Sequence, residues 1–186
     1  LLKMDPNNIP DAVPRSEPIK AAGNKSPYMV FGKVYHVMDD PRGYKEQGGA
    51  SWYGLKFHGH KTSNGEIYDI QGMTAAHKTL PIPSYVKVTN VANGRSAIVR
   101  VNDRGPFHDQ RIIDLSYAAA TKLGYIQQGV AQVIVEVIDV GQWEQSHKQP
   151  LPPVAVKNVL LQVGAYSQAV SAQTVQQTIV QKMAWP

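Results

Sequence analysis

Of the carboxylates in the central stretch 48–140 (Glu66, Asp69, Asp103, Asp109, Asp114, Glu136 and Asp139), two sit in settings suited to proton transfer. Asp103 ends the alternating run VRVNDRGPF, between the amide of Asn102 and the guanidinium of Arg104, where Gly105-Pro106 breaks the strand. Glu66 lies in KTSNGEIYD, a glycine-containing loop. Two carboxylates on loops beside a rigid scaffold, with Arg100 and Arg104 close by, suit acid-assisted cleavage of a sugar bond. The same residue types also make plain turns, because Asn, Asp, Gly and Pro favour tight backbone geometry. Residue types alone leave both readings open. Glu136 alternates onto the solvent face of its strand, and Asp114, just before a helix cap, reads as structural.

Other chemistries find less support. His58 and His60, spaced i, i+2, would share one face of a strand, with His77 and His108 further along. A zinc site needs three or four converging ligands, and no supporting carboxylate or cysteine accompanies these histidines. His77, in TAAHKTLP, reads instead as a hydrogen-bonding group at a strand end. There is no glycine-rich phosphate loop and no Gly-x-Ser-x-Gly elbow. The absence of cysteine excludes disulfides and thiolate catalysis. A net charge of +5 favours anionic partners only weakly. Aromatic residues are dense in this stretch, and SWYG (Trp52, Tyr53) offers rings on which the apolar C–H face of a pyranose can stack.

The elements that must position these groups are short. ASWY, MTAAH and RIIDL are brief strand candidates, and SYVKVTN and SAIVRVN alternate about Asn93-Gly94, a strong hairpin signal. AQVIVEVIDV is a strand with Val133, Val135 and Val137 on one face. Ser116 caps a two-turn helix, YAAATKL, closed by Gly124. Many short strands and one short helix in about ninety residues predict a small closed barrel. Before it, residues 1–27 form an extended leader, and YMVFGKVYHVM folds as a small hairpin. After it, residues 141–157, with three prolines, form a linker. No apolar run approaches the roughly 20 residues of a membrane span. The abrupt start and end read as a processed or trimmed chain.

Three segments carry a resemblance. GGASWYGLKFHGHKTSNGEIYD, MTAAHKTLPIPSYVKVTNVANGRSAIVRVNDRGPF and RIIDLSYAAATKLG resemble the rare lipoprotein A (RlpA) family over about residues 28–140. The later VLLQVGAYSQ resembles the start of a SPOR domain, truncated within 158–186. The resemblance implies a mainly β fold: a six-stranded double-psi β-barrel with a short helix, an N-terminal extension and an α+β SPOR start. It implies an endolytic peptidoglycan lytic transglycosylase acting on MurNAc–GlcNAc bonds in glycan strands without stem peptides. The products would end in 1,6-anhydroMurNAc. A non-catalytic, expansin-like glycan-binding module is the alternative.

The family's catalytic residues fall on Asp103, Glu66 and His77, with substrate contacts expected from Trp52, Tyr53, Asn102, Arg104 and Ser63. In this expectation Asp103 protonates the glycosidic oxygen and then, as a base, takes the proton of the MurNAc C6 hydroxyl; Glu66 supports it electrostatically. No metal, cofactor or nucleic acid is expected. The resemblance further implies a monomeric lipoprotein at the periplasmic face of the outer membrane, active in cell division. Its lipid-bearing cysteine is not among these residues.

Overall fold

The computed structural model describes residues 4–147, so the expected SPOR start and the end of the linker lie outside the described residues. A two-stranded hairpin, β1 (Tyr28–Val30) and β2 (Lys33–Tyr35), turns at Phe31-Gly32, both at positive φ. Six further strands follow: β3 (Lys45–Trp52), β4 (Thr74–His77), β5 (Ser84–Asn90), β6 (Ser96–Asp103), β7 (Arg111–Leu115) and β8 (Val130–Val137). They close into a barrel in the order β3-β7-β4-β6-β5-β8. The pairs β3–β7 and β4–β6 are parallel and the rest antiparallel. This is the mainly β, six-stranded double-psi β-barrel expected.

Alternation explains the core. Val86 and Val88 of β5, Ala97, Val99 and Val101 of β6, and Val133 and Val135 of β8 all turn inward and are fully buried or nearly so. The helix α1 (Tyr117–Leu123) packs Ala119, Ala120 and Leu123 onto the same cluster. Its ends match the expectation: Ser116 accepts a hydrogen bond from the Ala119 N–H, and Gly124 closes it in the left-handed conformation. The β5–β6 connection is longer than a two-residue turn. Its Asn93, together with Asn90, donates to the Leu123 carbonyl, which ties the hairpin tip to the helix end.

The leader has a physical reason to be ordered. Strand β4 is short and pairs only with the Arg100–Asp103 part of β6. On that side Ile98 keeps an N–H and a carbonyl that need partners. Asp11 accepts from the Ile98 N–H, and the Ala12 N–H donates to the Ile98 carbonyl. The opening of the expected linker is also structured: Asp139 caps a second helix, α2 (Val140–Ser146). A cap residue followed by helix-compatible residues outweighs the polar composition there.

Candidate active site

A groove of about 800 Å³ opens at one side of the barrel. Its floor is a row of residues in register across four neighbouring strands. Ser51 of β3 faces Asp114 of β7, Asp114 faces Ala76 of β4, and Ala76 faces Asp103 of β6. All four line the groove. Asp103 reaches this row through an irregularity. Ala75 pairs with Val101 and Ala76 with Asp103, so Asn102 is an extra residue in β6. Strict alternation would send Asp103 into the core with Val99 and Val101; the bulge turns it to the other face.

Three donors hold Asp103, and all act on one oxygen. The Ser63 N–H (2.8 Å), the Ser63 hydroxyl (2.5 Å) and the Arg104 N–H (2.8 Å) converge on Oδ1. Among the described residues no donor reaches Oδ2. Ser63 belongs to the turn closed by the Lys61–Ile67 bridge, which also carries Glu66.

Glu66 is placed differently and is not among the residues that line the groove. Arg100 donates to both of its oxygens, at 2.7 and 2.9 Å, and the Asn102 amide adds a bond of 3.0 Å. These bonds, led by those from Arg100, hold the Glu66 carboxyl down at about 2 against a smaller opposing effect of burial. Arg100 in turn grips Glu17 of the leader, so Arg100 is shared between two carboxylates.

His77 also stays outside the groove lining. It is 3% exposed, and its Nδ1 accepts from the Thr79 and Leu80 N–H groups. That leaves the ring proton on Nε2, which faces the Tyr44 hydroxyl at 2.9 Å. Burial first, then the charges of Arg104 and Lys78, lower its pKa to about 3. His77 is therefore a neutral ring that shapes the turn after β4.

The expected binding residues divide in the same way. Trp52 and Tyr53 line the groove, packed edge-on against Tyr117 and Phe57 respectively. Arg104 lines it too, but its guanidinium donates to the carbonyls of Gly23, His77 and Leu80 and to the Asn24 side chain. It fastens loops and leader together. Asn102 is buried against Glu66. His58 and His60 lie in the turns after a 3-10 helix (Leu55–Phe57) and not on a strand, since Gly54 and Gly59 interrupt any alternation.

Phe31 and Asp114 are groove residues to which the sequence reading gave no place in the site. Phe31, at the hairpin tip, is 93% exposed and still borders the groove. Asp114 sits on the floor, where alternation along RIIDL turns it away from the buried Ile113 and Leu115. That alternation was a usable signal: a carboxylate between two core residues must face the opposite side of the strand. Burial pushes the Asp114 carboxyl above the usual range, although the Ser51 hydrogen bond and the charges of Arg111, His108 and Lys78 pull the other way.

Comparison with known proteins identifies the family. Residues 45–148 match the family model described as "Lytic transglycolase". Three curated relatives are each named endolytic peptidoglycan transglycosylase RlpA. The Vibrio cholerae protein is 65% identical over 133 residues, 72% of this chain and 50% of its own length. That of Pseudomonas aeruginosa is 58% identical over 151 residues, 81% of this chain and 44% of its own. That of Neisseria meningitidis serogroup A is 59% identical over 132 residues, 71% of this chain and 55% of its own. The chain thus spans about half the length of the curated relatives it matches.

Proposed function

Since the chain belongs to the lytic transglycolase family, we propose that it is an endolytic peptidoglycan lytic transglycosylase, cutting MurNAc–GlcNAc bonds to leave 1,6-anhydroMurNAc ends. The observation that carries this reading is Asp103: a carboxylate fixed through one oxygen at the floor of an open groove, its other oxygen uncommitted. Such a group can exchange a proton with a bound sugar without moving. As the C1–oxygen bond of MurNAc breaks, the C6 hydroxyl oxygen closes on C1 and its proton passes to Asp103. The leaving GlcNAc oxygen takes its proton from a carboxylic acid of the groove floor, and no water is consumed. Glu66 acts indirectly, because its ion pair with Arg100 and its bond to Asn102 brace the end of β6 that presents Asp103.

The finer parts of the proposal concern the substrate and its place. Strands stripped of stem peptides expose a lactyl carboxylate on each MurNAc, and the exposed Lys56 and Lys61 on the groove wall favour an anion there. Trp52, Tyr53 and Phe57 supply aromatic surface for sugar rings. A peptidoglycan substrate implies the cell envelope. Attachment to the outer membrane by a lipid outside these residues, and a role at division sites, rest on the resemblance of VLLQVGAYSQ and of the barrel motifs.

Mass spectrometry of digested sacculi tests the reading. Anhydro ends support it. Reducing ends would make the protein a hydrolase, and glycan binding without cleavage would make it an expansin-like module.

A further inference from the structure

A transglycosylase step moves two protons, one onto the leaving oxygen and one off the C6 hydroxyl. The groove floor holds two carboxyl groups that can share this work. We propose that Asp114 is the general acid that protonates the glycosidic oxygen, leaving Asp103 to act as the base, with the scissile bond lying over Ala76 between them. The proposal rests on the transglycosylase reading and divides its chemistry between two residues.

Register carries the argument. Asp114 and Asp103 both face Ala76, one from each neighbouring strand. Adjacent strands are about 4.8 Å apart, so the two backbones stand about 10 Å apart. This spacing leaves room for a sugar between the two side chains, which rise from the same floor and can reach the leaving oxygen and the C6 hydroxyl on one face of the ring. The intervening residue is alanine, and no larger side chain fills the gap. Tyr53 lies within reach of both charges: burial foremost, then Asp103 and, more weakly, Asp114 raise its hydroxyl pKa, so it stays a neutral donor.

Local chemistry suits Asp114 to an acid. Its side chain is 18% exposed, enough to meet substrate and little enough to disfavour charge. Ser51 donates to Oδ1 at 2.5 Å, and among the described residues no donor reaches Oδ2, where the transferable proton would sit. The positive groups around it are Arg111 on its own strand (3.8 Å), His108 in the preceding loop and Lys78 after β4. Tyr53 and Tyr125 feel its negative charge. Burial outweighs the cations, and the proton is retained into a higher pH range than at an ordinary aspartate.

The step balances. Asp114 gives its proton to the GlcNAc oxygen as the C1–O bond breaks, and Asp103 receives the C6 hydroxyl proton as O6 bonds to C1. The enzyme is left with ionised Asp114 and protonated Asp103, and one proton returns through solvent.

The experiment compares Asp114→Asn and Asp103→Asn, each checked for an intact thermal transition, on two substrates. One is stripped glycan; the other is an aryl glycoside of MurNAc, whose phenolate departs without a proton. On glycan both variants should lose about 10²–10⁴-fold. On the aryl glycoside Asp114→Asn should recover most of its turnover while Asp103→Asn stays inactive. Arg111→Gln, which removes a charge favouring ionised Asp114, should move the alkaline limb of kcat/KM to higher pH. If the wild type releases no anhydro products, the transglycosylase reading itself fails. If the wild type does release them, two results overturn the Asp114 assignment: glycan turnover by Asp114→Asn near wild type, or no selective recovery on the aryl substrate.

Discussion

Two carboxylates, Glu66 bound to β6 and Asp114 on β7, are tuned in opposite directions. Glu66 meets a guanidinium through both oxygens and is held at about 2. Asp114 is half-buried beside Ser51, with its nearest guanidinium contact at 3.8 Å, and its carboxyl is pushed up. The first arrangement makes a permanent anion that fixes structure. The second makes a group that can carry a proton to a substrate. A carboxylate's value for chemistry thus depends less on its presence near a groove than on whether its charge is already matched.

The comparison can be broken most forcefully at Arg100. Arg100→Met leaves Glu17 and Glu66 without their shared partner and should cost about 2–3 kcal/mol, below the usual penalty for a buried pair because Glu66 is partly exposed. Denaturant unfolding checks this, and Glu66 should then titrate near the ordinary carboxylate range. Glu66→Gln should impair turnover on stripped glycan, by much less than the ~10²–10⁴-fold loss of a proton-transferring group.

The same variant sharpens the comparison through acid stability. A carboxyl whose folded pKa is depressed from 4.5 to about 2 stabilises the fold above 4.5 and ceases to do so as pH falls towards 2. The thermal midpoint of the wild type should therefore decline more steeply over that window than that of Glu66→Gln. His77 gives a parallel, quieter signal. A buried ring with its pKa lowered from 6.5 to about 3 contributes stability above 6.5 that is lost as pH falls through this interval. NMR should show its imidazole still neutral at pH 5. The smallest effects belong to the groove wall: Lys56→Ala or Lys61→Ala should weaken glycan binding within about fivefold, since an exposed charge contributes 1 kcal/mol or less. Added salt should shrink even that difference.

Much of this was legible in the sequence where the signal is local. The cap Ser116, the stop at Gly124 and the alternation around β5 and β6 identify their elements from neighbouring residues alone. Asp103 stood out because an acid at a strand end is visible in a few residues. What stayed hidden depends on pairing across distance. The row Ser51–Asp114–Ala76–Asp103 exists only once β3, β7, β4 and β6 are in register, and a single bulged residue decides which way Asp103 faces. The ordered leader likewise follows from the shortness of β4, which leaves Ile98 to be paired. Glu66 and His77 could be picked out by type and motif, but their neighbours, Arg100 and the turn after β4, determine that one is a fixed anion and the other a neutral ring.

The central claim is that the groove cleaves glycan through Asp103, and release of 1,6-anhydroMurNAc ends by Asp103→Asn tests it most directly. Asparagine keeps the size and the turn geometry but cannot take the C6 hydroxyl proton. The variant should fold with a thermal midpoint close to wild type, still bind stripped glycan, and release anhydro ends at least about 10²-fold more slowly. A well-folded Asp103→Asn protein that releases anhydro ends at near the wild-type rate would contradict the account.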